Sequence, residues 1–197
     1  MSSASLQNLS VKPNGDTNNT LLMPKLQFRF RVQFYNLGGA ANPMILTRQV
    51  IDCQRPNLTF DEIPLPIYNS TVYIAGKPKW AETTINIRDD ALSQASTAIA
   101  RQLSNQLDFE QMASAASGKD YKFMTTVEVL DGGNGNTAVG VLETWELYGC
   151  WIKAANYNNL KYDANEAVTI ALTVRYDNAS LIPGNSIGGT IATGIGI

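Results

Sequence analysis

Leu26-Gln-Phe-Arg-Phe-Arg-Val-Gln-Phe34 is the stretch on which the fold class turns. Leu26, Phe28, Phe30, Val32 and Phe34 alternate with Gln27, Arg29, Arg31 and Gln33, so a period of two holds over nine residues. Successive side chains of a strand point to opposite faces, and the pattern therefore predicts a half-buried strand. Gly38-Gly39 ends it.

Downstream, the apolar run over residues 44–53 reads as a second strand, closed by Pro56. Leu58, Phe60, Ile63, Leu65, Ile67, Val72, Tyr73 and Ile74 follow, interrupted by Pro64 and Pro66. This segment predicts a strand, a kink and a hairpin arm, with Gly76-Lys77-Pro78 as the turn. Alternation returns from Trp80 to Arg88, with Thr83, Ile85 and Ile87 on one side. Asp89 and Asp90 then suit the start of a helix, where carboxylates cap free N–H groups and meet the positive end of the dipole. Leu92, Ile99, Leu103 and Leu107, with Ala95 or Ser96 in the gap, form one stripe at helical spacing, and residues 116–118 end the helical region.

Three more strands are predicted. Residues 121–131 place Phe123, Val127 and Val129 on one face, and residues 139–151 place Trp145, Leu147 and Trp151 in phase. In the last, Val168, Ile170, Leu172, Val174 and Tyr176 alternate with Thr169, Ala171, Thr173 and Arg175. About seven or eight consecutive strands with one helix and no βαβ alternation imply an antiparallel β-sandwich or barrel with a flanking α-helix. Residues 1–24, rich in Ser, Asn and Thr, read as an N-terminal arm. Residues 25–178 read as the domain, and 179–197 as a Gly-rich tail.

Charged residues make up only 16% of the chain, against 44% hydrophobic. A soluble monomer ordinarily carries about a quarter charged residues, so much of this surface is expected to lie against partners. The net charge of −2 argues against sequence-independent DNA binding, which needs a basic patch. No apolar run reaches bilayer length, so no membrane anchor is expected. The start Met1-Ser-Ser-Ala-Ser-Leu-Gln7 lacks the basic and apolar regions of a signal peptide, which points to a protein made in the cytoplasm. Cys53 and Cys150 read as reduced thiols.

Catalytic chemistry is poorly provided for. The chain has no histidine, which removes the commonest general base and metal ligand. Gly132-Gly-Asn-Gly135 lacks the Lys-Ser/Thr of a phosphate cradle and reads as a hairpin turn. Asp61-Glu62 alternate across a strand, and Asp89-Asp90 cap a helix, so neither pair reads as an acid–base couple. Asp131, Asn134 and Asn136 are turn residues before they are calcium ligands. No enzyme activity, cofactor or metal is expected.

Two stretches resemble the tail tube proteins of contractile-tailed bacteriophages. One runs from Ile67-Tyr-Asn-Ser-Thr-Val-Tyr-Ile-Ala-Gly76-Lys-Pro-Lys-Trp80 into Thr83-Thr-Ile-Asn-Ile-Arg-Asp89-Asp90. The other is Glu146-Leu-Tyr-Gly149-Cys-Trp151, followed by Asn156, Leu160, Asp163 and Arg175-Tyr-Asp177. The resemblance spans about residues 25–178 and implies hexameric rings that stack into a tube, their sheets joined into one continuous β-barrel. It also implies that an arm at residues 60–80 reaches the next ring. Ile67, Tyr68, Val72, Tyr73, Ile74, Gly76, Pro78 and Trp80 are its candidate interface residues. The implied partners are further copies of the chain, a tail sheath, a baseplate or tube initiator and a tape-measure protein, in a virion tail assembled in the host cytoplasm. Double-stranded DNA would pass the lumen without specific binding, along a neutral to acidic wall. Two alternatives share the sequence features: the tube of a phage-derived injection device that carries no genome, and a monomeric sandwich that binds carbohydrate or a receptor.

Overall fold

A computed structural model describes residues 25–39, 44–131, 140–163 and 165–184. The N-terminal arm, most of the Gly-rich turn after Asp131 and the end of the C-terminal tail lie outside the described residues. Strand β1, Phe30–Tyr35, leads through a 3-10 turn to helix α1, Met44–Gln49, and strand β2, Val50–Cys53. Next come β3, Leu58–Ile67, β4, Ser70–Trp80, and β5, Thr83–Arg88. Helix α2, Gln94–Gln106, is followed by the short strands β6, Leu107–Asp108, and β7, Ala113–Ser114, and by helix α3, Gly118–Tyr121. The chain closes with β8, Phe123–Leu130, β9, Val141–Asn156, β10, Thr169–Arg175, and β11, Asn178–Pro183. The last of these lies in the segment read as the C-terminal tail.

The fold is mainly antiparallel β, as the alternating stretches imply. Seven strands form one sheet in the order β1-β8-β9-β10-β5-β2, with β11 also paired to β9. The 16 residues of β9 carry the bend. Its first part pairs with β8 and β11, and its last part with β10. A strand that changes partners at a bend folds one sheet back over itself. Val32, Phe34, Phe123 and Val127 from one half thereby share a single core with Ile85, Ile87, Ile170, Leu172 and Val174 from the other. Helix α2 adds Ala95, Ala98 and Ile99 to that core.

The bend is made by Gly149, whose φ is +65°. A Cβ there would also lie 2.3 Å from a carboxylate oxygen of Asp177. Backbone conformation and space both demand glycine. The bulge shifts the inward-facing set by one residue, so Leu147 is buried before it and Cys150 and Ile152 after it. Trp145 and Leu147 keep their shared phase, but Trp151 falls out of it, correcting the expectation that all three face one way.

Other expectations are corrected by partner availability. The alternating pattern begins at Leu26, yet β1 begins at Phe30, which pairs with Val129 near the end of β8. Before it, the Arg29 amide donates to Leu26 O in a turn, and Phe28 is exposed. Residues 44–49 are helix, not strand. Met, Leu, Arg and Gln all favour helix, and a short unalternating apolar run is ambiguous between the two. Strand begins only at the β-branched pair Val50-Ile51.

Helix α2 starts one turn later than the apolar stripe implied, which leaves Leu92 exposed. The two aspartates still serve its start: Asp90 Oδ1 accepts from the Gln94 amide at 2.8 Å, and Asp89 Oδ1 from the Ser96 amide at 3.4 Å. The helix ends at Gln106, well before residues 116–118, because the backbone turns extended at Leu107, which pairs with Ser114 in the β6–β7 ladder; the Gln106 side chain bonds both backbone groups of Ile152 at 3.0 Å. Gln102 is buried in the same helix. It accepts from the Gly38 amide at 2.8 Å and donates to Tyr121 O at 2.5 Å.

Candidate assembly interface

Strands β3 and β4 form a hairpin that stands apart from the sheet. Among the described residues the two strands pair only with each other. Every residue of β3 is exposed, and in β4 only Gly76 and Trp80 are not. The turn is Tyr68-Asn69, with Tyr68 at φ +48° and 99% exposed. This corrects the expected turn at Gly76-Lys77-Pro78. Those residues lie inside β4, opposite Phe60 to Glu62, where the register slips by one residue. A Cβ on Gly76 would lie 2.8 Å from Asp61 O, so close backbone approach sets that glycine.

Cross-strand register sorts the side chains into two faces. Ile63 stands opposite Ile74, Leu65 opposite Val72 and Ile67 opposite Ser70. Directly opposed residues share a face, so five branched aliphatic side chains cover one side of the blade. The other side carries Pro64 opposite Tyr73 and Pro66 opposite Thr71. No residue from Ile63 to Ala75 is charged. An isolated two-stranded hairpin is marginal in water, and an uncharged apolar one calls for a covering surface.

The root of the hairpin is held firmly. Trp80 Nε1 donates to Asn178 Oδ1 at 3.1 Å, and its ring lies 5.9 Å from that of Tyr176. The Ala81 amide donates to Asn57 O at 2.9 Å, and Lys79 pairs with Asp61 at 2.8 Å. Just before the root, Arg55 lies 3.8 Å from the largely buried carboxylate of Glu143. The same carboxylate accepts from Lys25 and, at 2.6 Å, from Trp145 Nε1. Burial pushes the Glu143 pKa up, but the hydrogen bonds from Lys25 and Trp145 and the nearby cations outweigh it, and the net shift is downward.

Of the residues singled out from sequence, Ile67, Val72 and Ile74 lie on the aliphatic face. Tyr73 lies on the opposite face, Tyr68 at the tip, Gly76 and Pro78 along β4, and Trp80 at the root. Ile63 and Leu65, named in the arm segment but not among its candidate interface residues, complete the aliphatic face. Their period-two spacing with Ile67 was the available signal, hidden by the intervening prolines. Elsewhere, burial raises the thiols of Cys53 and Cys150, to about 12 and about 11, and both cysteines are free. Neither has the character of a reactive nucleophile.

No family model and no curated protein matches the chain. Solved structures do. A chain of the anti-feeding prophage tube-terminating cap aligns with a TM-score of 0.62 at 13% identity, over 86% of this chain and 97% of that one. A chain of an extracellular contractile injection system, from its sheath/tube terminator in the extended state, gives 0.60 at 12% identity over 83% and 99%. One from the sheath–tube complex of such a system gives 0.56 at 14% identity over 92% and 99%. The chain therefore has the fold found in these contractile injection assemblies, as its sequence resemblance to contractile tail tube proteins implied.

Proposed function

We propose that this chain is a structural, non-enzymatic tube subunit of a contractile tail or injection machine, forming six-membered rings that stack into a hollow conduit. The observation that carries this is the uncharged apolar hairpin on a rooted base, set on a domain with the fold of contractile injection assemblies. One chain with the same fold comes from a baseplate described as 6-fold symmetrised, which supports rings of six here. Sheath, baseplate and tape-measure proteins are the partners, and the site of action is the assembled tail. The wall of the conduit is neutral to acidic, in keeping with the net charge of −2.

Replacing residues 68–75 by a short Gly/Ser linker tests the reading. The expected product is a folded, soluble subunit that does not stack, seen by circular dichroism and negative-stain microscopy. Long tubes from the variant would remove the hairpin from the assembly contact, and unfolding would place it in the subunit's own core. A phage tail and a phage-derived injection device both fit the fold, and nucleic acid recovered from isolated particles separates them.

A further inference from the structure

Strand β9 has two long sides, and one of them runs out of partners. β10 lies along its last part, with Val174 opposite Ile152 and Ala171 opposite Asn156. On the other side β8 reaches only as far as Phe123, opposite Cys150. The chain before β8 turns away: Gly118–Tyr121 is helix α3, and Gln102 donates to Tyr121 O at 2.5 Å. From Trp151 to Asn156 that side of β9 therefore meets no strand among the described residues. An edge of this kind offers a row of N–H and C=O groups to another chain.

One rung of the edge is already taken. Gln106, the last residue of α2, donates from Nε2 to Ile152 O and accepts the Ile152 amide on Oε1, both at 3.0 Å. A carboxamide carries the donor and the acceptor of a peptide unit, and directly opposed residues bond at every second position of an antiparallel ladder. Gln106 thus fills the place, two residues beyond Cys150, that a longer β8 would have filled. Lys153, the next residue, is exposed and has no opposite number in β10, where the register slips, and its Nζ lies 2.8 Å from Glu82. Bulges and lysines are themselves devices that keep an edge from pairing.

We infer that Gln106 guards this edge, withholding Ile152 from the same edge of a second copy. An antiparallel edge is complementary to itself, so two copies related by a two-fold axis can pair β9 with β9 and close. Such a pair goes no further, and under the tube reading it also takes subunits out of ring assembly. Leucine at position 106 keeps the bulk of the side chain and favours helix as glutamine does. It leaves the N–H and C=O of Ile152 without a partner, and unpaired backbone groups beside a buried side chain are the ones a strand from outside satisfies.

The test places a reporter cysteine at the exposed Ala154, Ala154→Cys, in the native chain and in Gln106→Leu. Cys53 and Cys150 compete little with it, since burial raises both native thiols. Amide exchange in dilute solution reads the hold on Ile152, and oxidative crosslinking with mass spectrometry reads whether two reporter cysteines meet. In Gln106→Leu the Ile152 amide is expected to exchange about tenfold faster or more. On concentration the same variant should give dimers crosslinked through the two reporter cysteines, and the native chain with the reporter should give none. A head-to-tail ring contact brings unlike edges together, so this crosslink is particular to the two-fold pair whether or not the chain forms tubes. Unchanged exchange at Ile152 overturns the inference. So does a Gln106→Leu chain that gives no crosslink, or a native chain that crosslinks as readily. Should Gln106→Leu fail to fold, Gln106→Asn takes its place with the same expectations, because it keeps the carboxamide but retracts it by one methylene. The tube reading fails separately, by a native chain that forms no tubes.

Discussion

Exchanging Ile63 and Ile74 for serine removes a directly opposed pair from the aliphatic face while leaving the root of the hairpin intact. Both side chains are about half exposed in the single chain, at 48% and 49%. Fully burying an isoleucine is worth about 1.5–3 kcal/mol, so covering the exposed half contributes about 0.8–1.5 kcal/mol for each. The pair then supports each subunit contact by about 1.5–3 kcal/mol, or roughly a 10- to 150-fold change in its equilibrium constant. With six equivalent contacts between two rings the loss would reach about 9–18 kcal/mol if the contacts add, enough to abolish stacking at ordinary concentrations. The subunit itself should barely respond, since exposed substitutions away from special features shift stability by about 0.5 kcal/mol or less. Thermal melting followed by circular dichroism reads the second quantity, and sedimentation velocity at tens of micromolar reads the first. Tubes of wild-type length would refute the reasoning. So would a fall in melting temperature of more than a few degrees, because the pair would then be packing on its own subunit.

Gly149→Ala should destabilise the fold by about 1–3 kcal/mol, since it forces a Cβ into the left-handed region and against Asp177. Urea denaturation measures this, and a midpoint equal to wild type would mean that the bulge relaxes at no cost. Glu143 is held below its ordinary carboxylate pKa of 4.5, so its contribution to stability is fully present above that pH and is lost as the pH falls through the depressed value. Glu143→Gln should flatten the acid limb of the stability profile below about pH 4.5, and an unchanged limb would assign acid sensitivity to other groups.

Much of the fold was legible along the chain because a half-buried strand writes its burial in the period of its side chains. Ile85 and Ile87, and likewise Ile170, Leu172 and Val174, are buried as their alternation implies. The uncharged run from Ile63 to Ala75 is a fact of sequence that argues toward assembly. The remaining features depend on pairing across long separations. Whether Leu26–Arg29 is strand depends on how far β8 extends beside it. Which tryptophan shares a face with Leu147 depends on a bulge that only Asp177, 28 residues further on, makes visible in space. The turn of the hairpin sits at Tyr68-Asn69 because register with β3 places it there, although Gly76 and Pro78 carry the stronger local turn signal. Local pattern reports which residues seek burial. Tertiary structure decides which partners are within reach, and so it alone set β3 and β4 against each other and left them apart from the sheet.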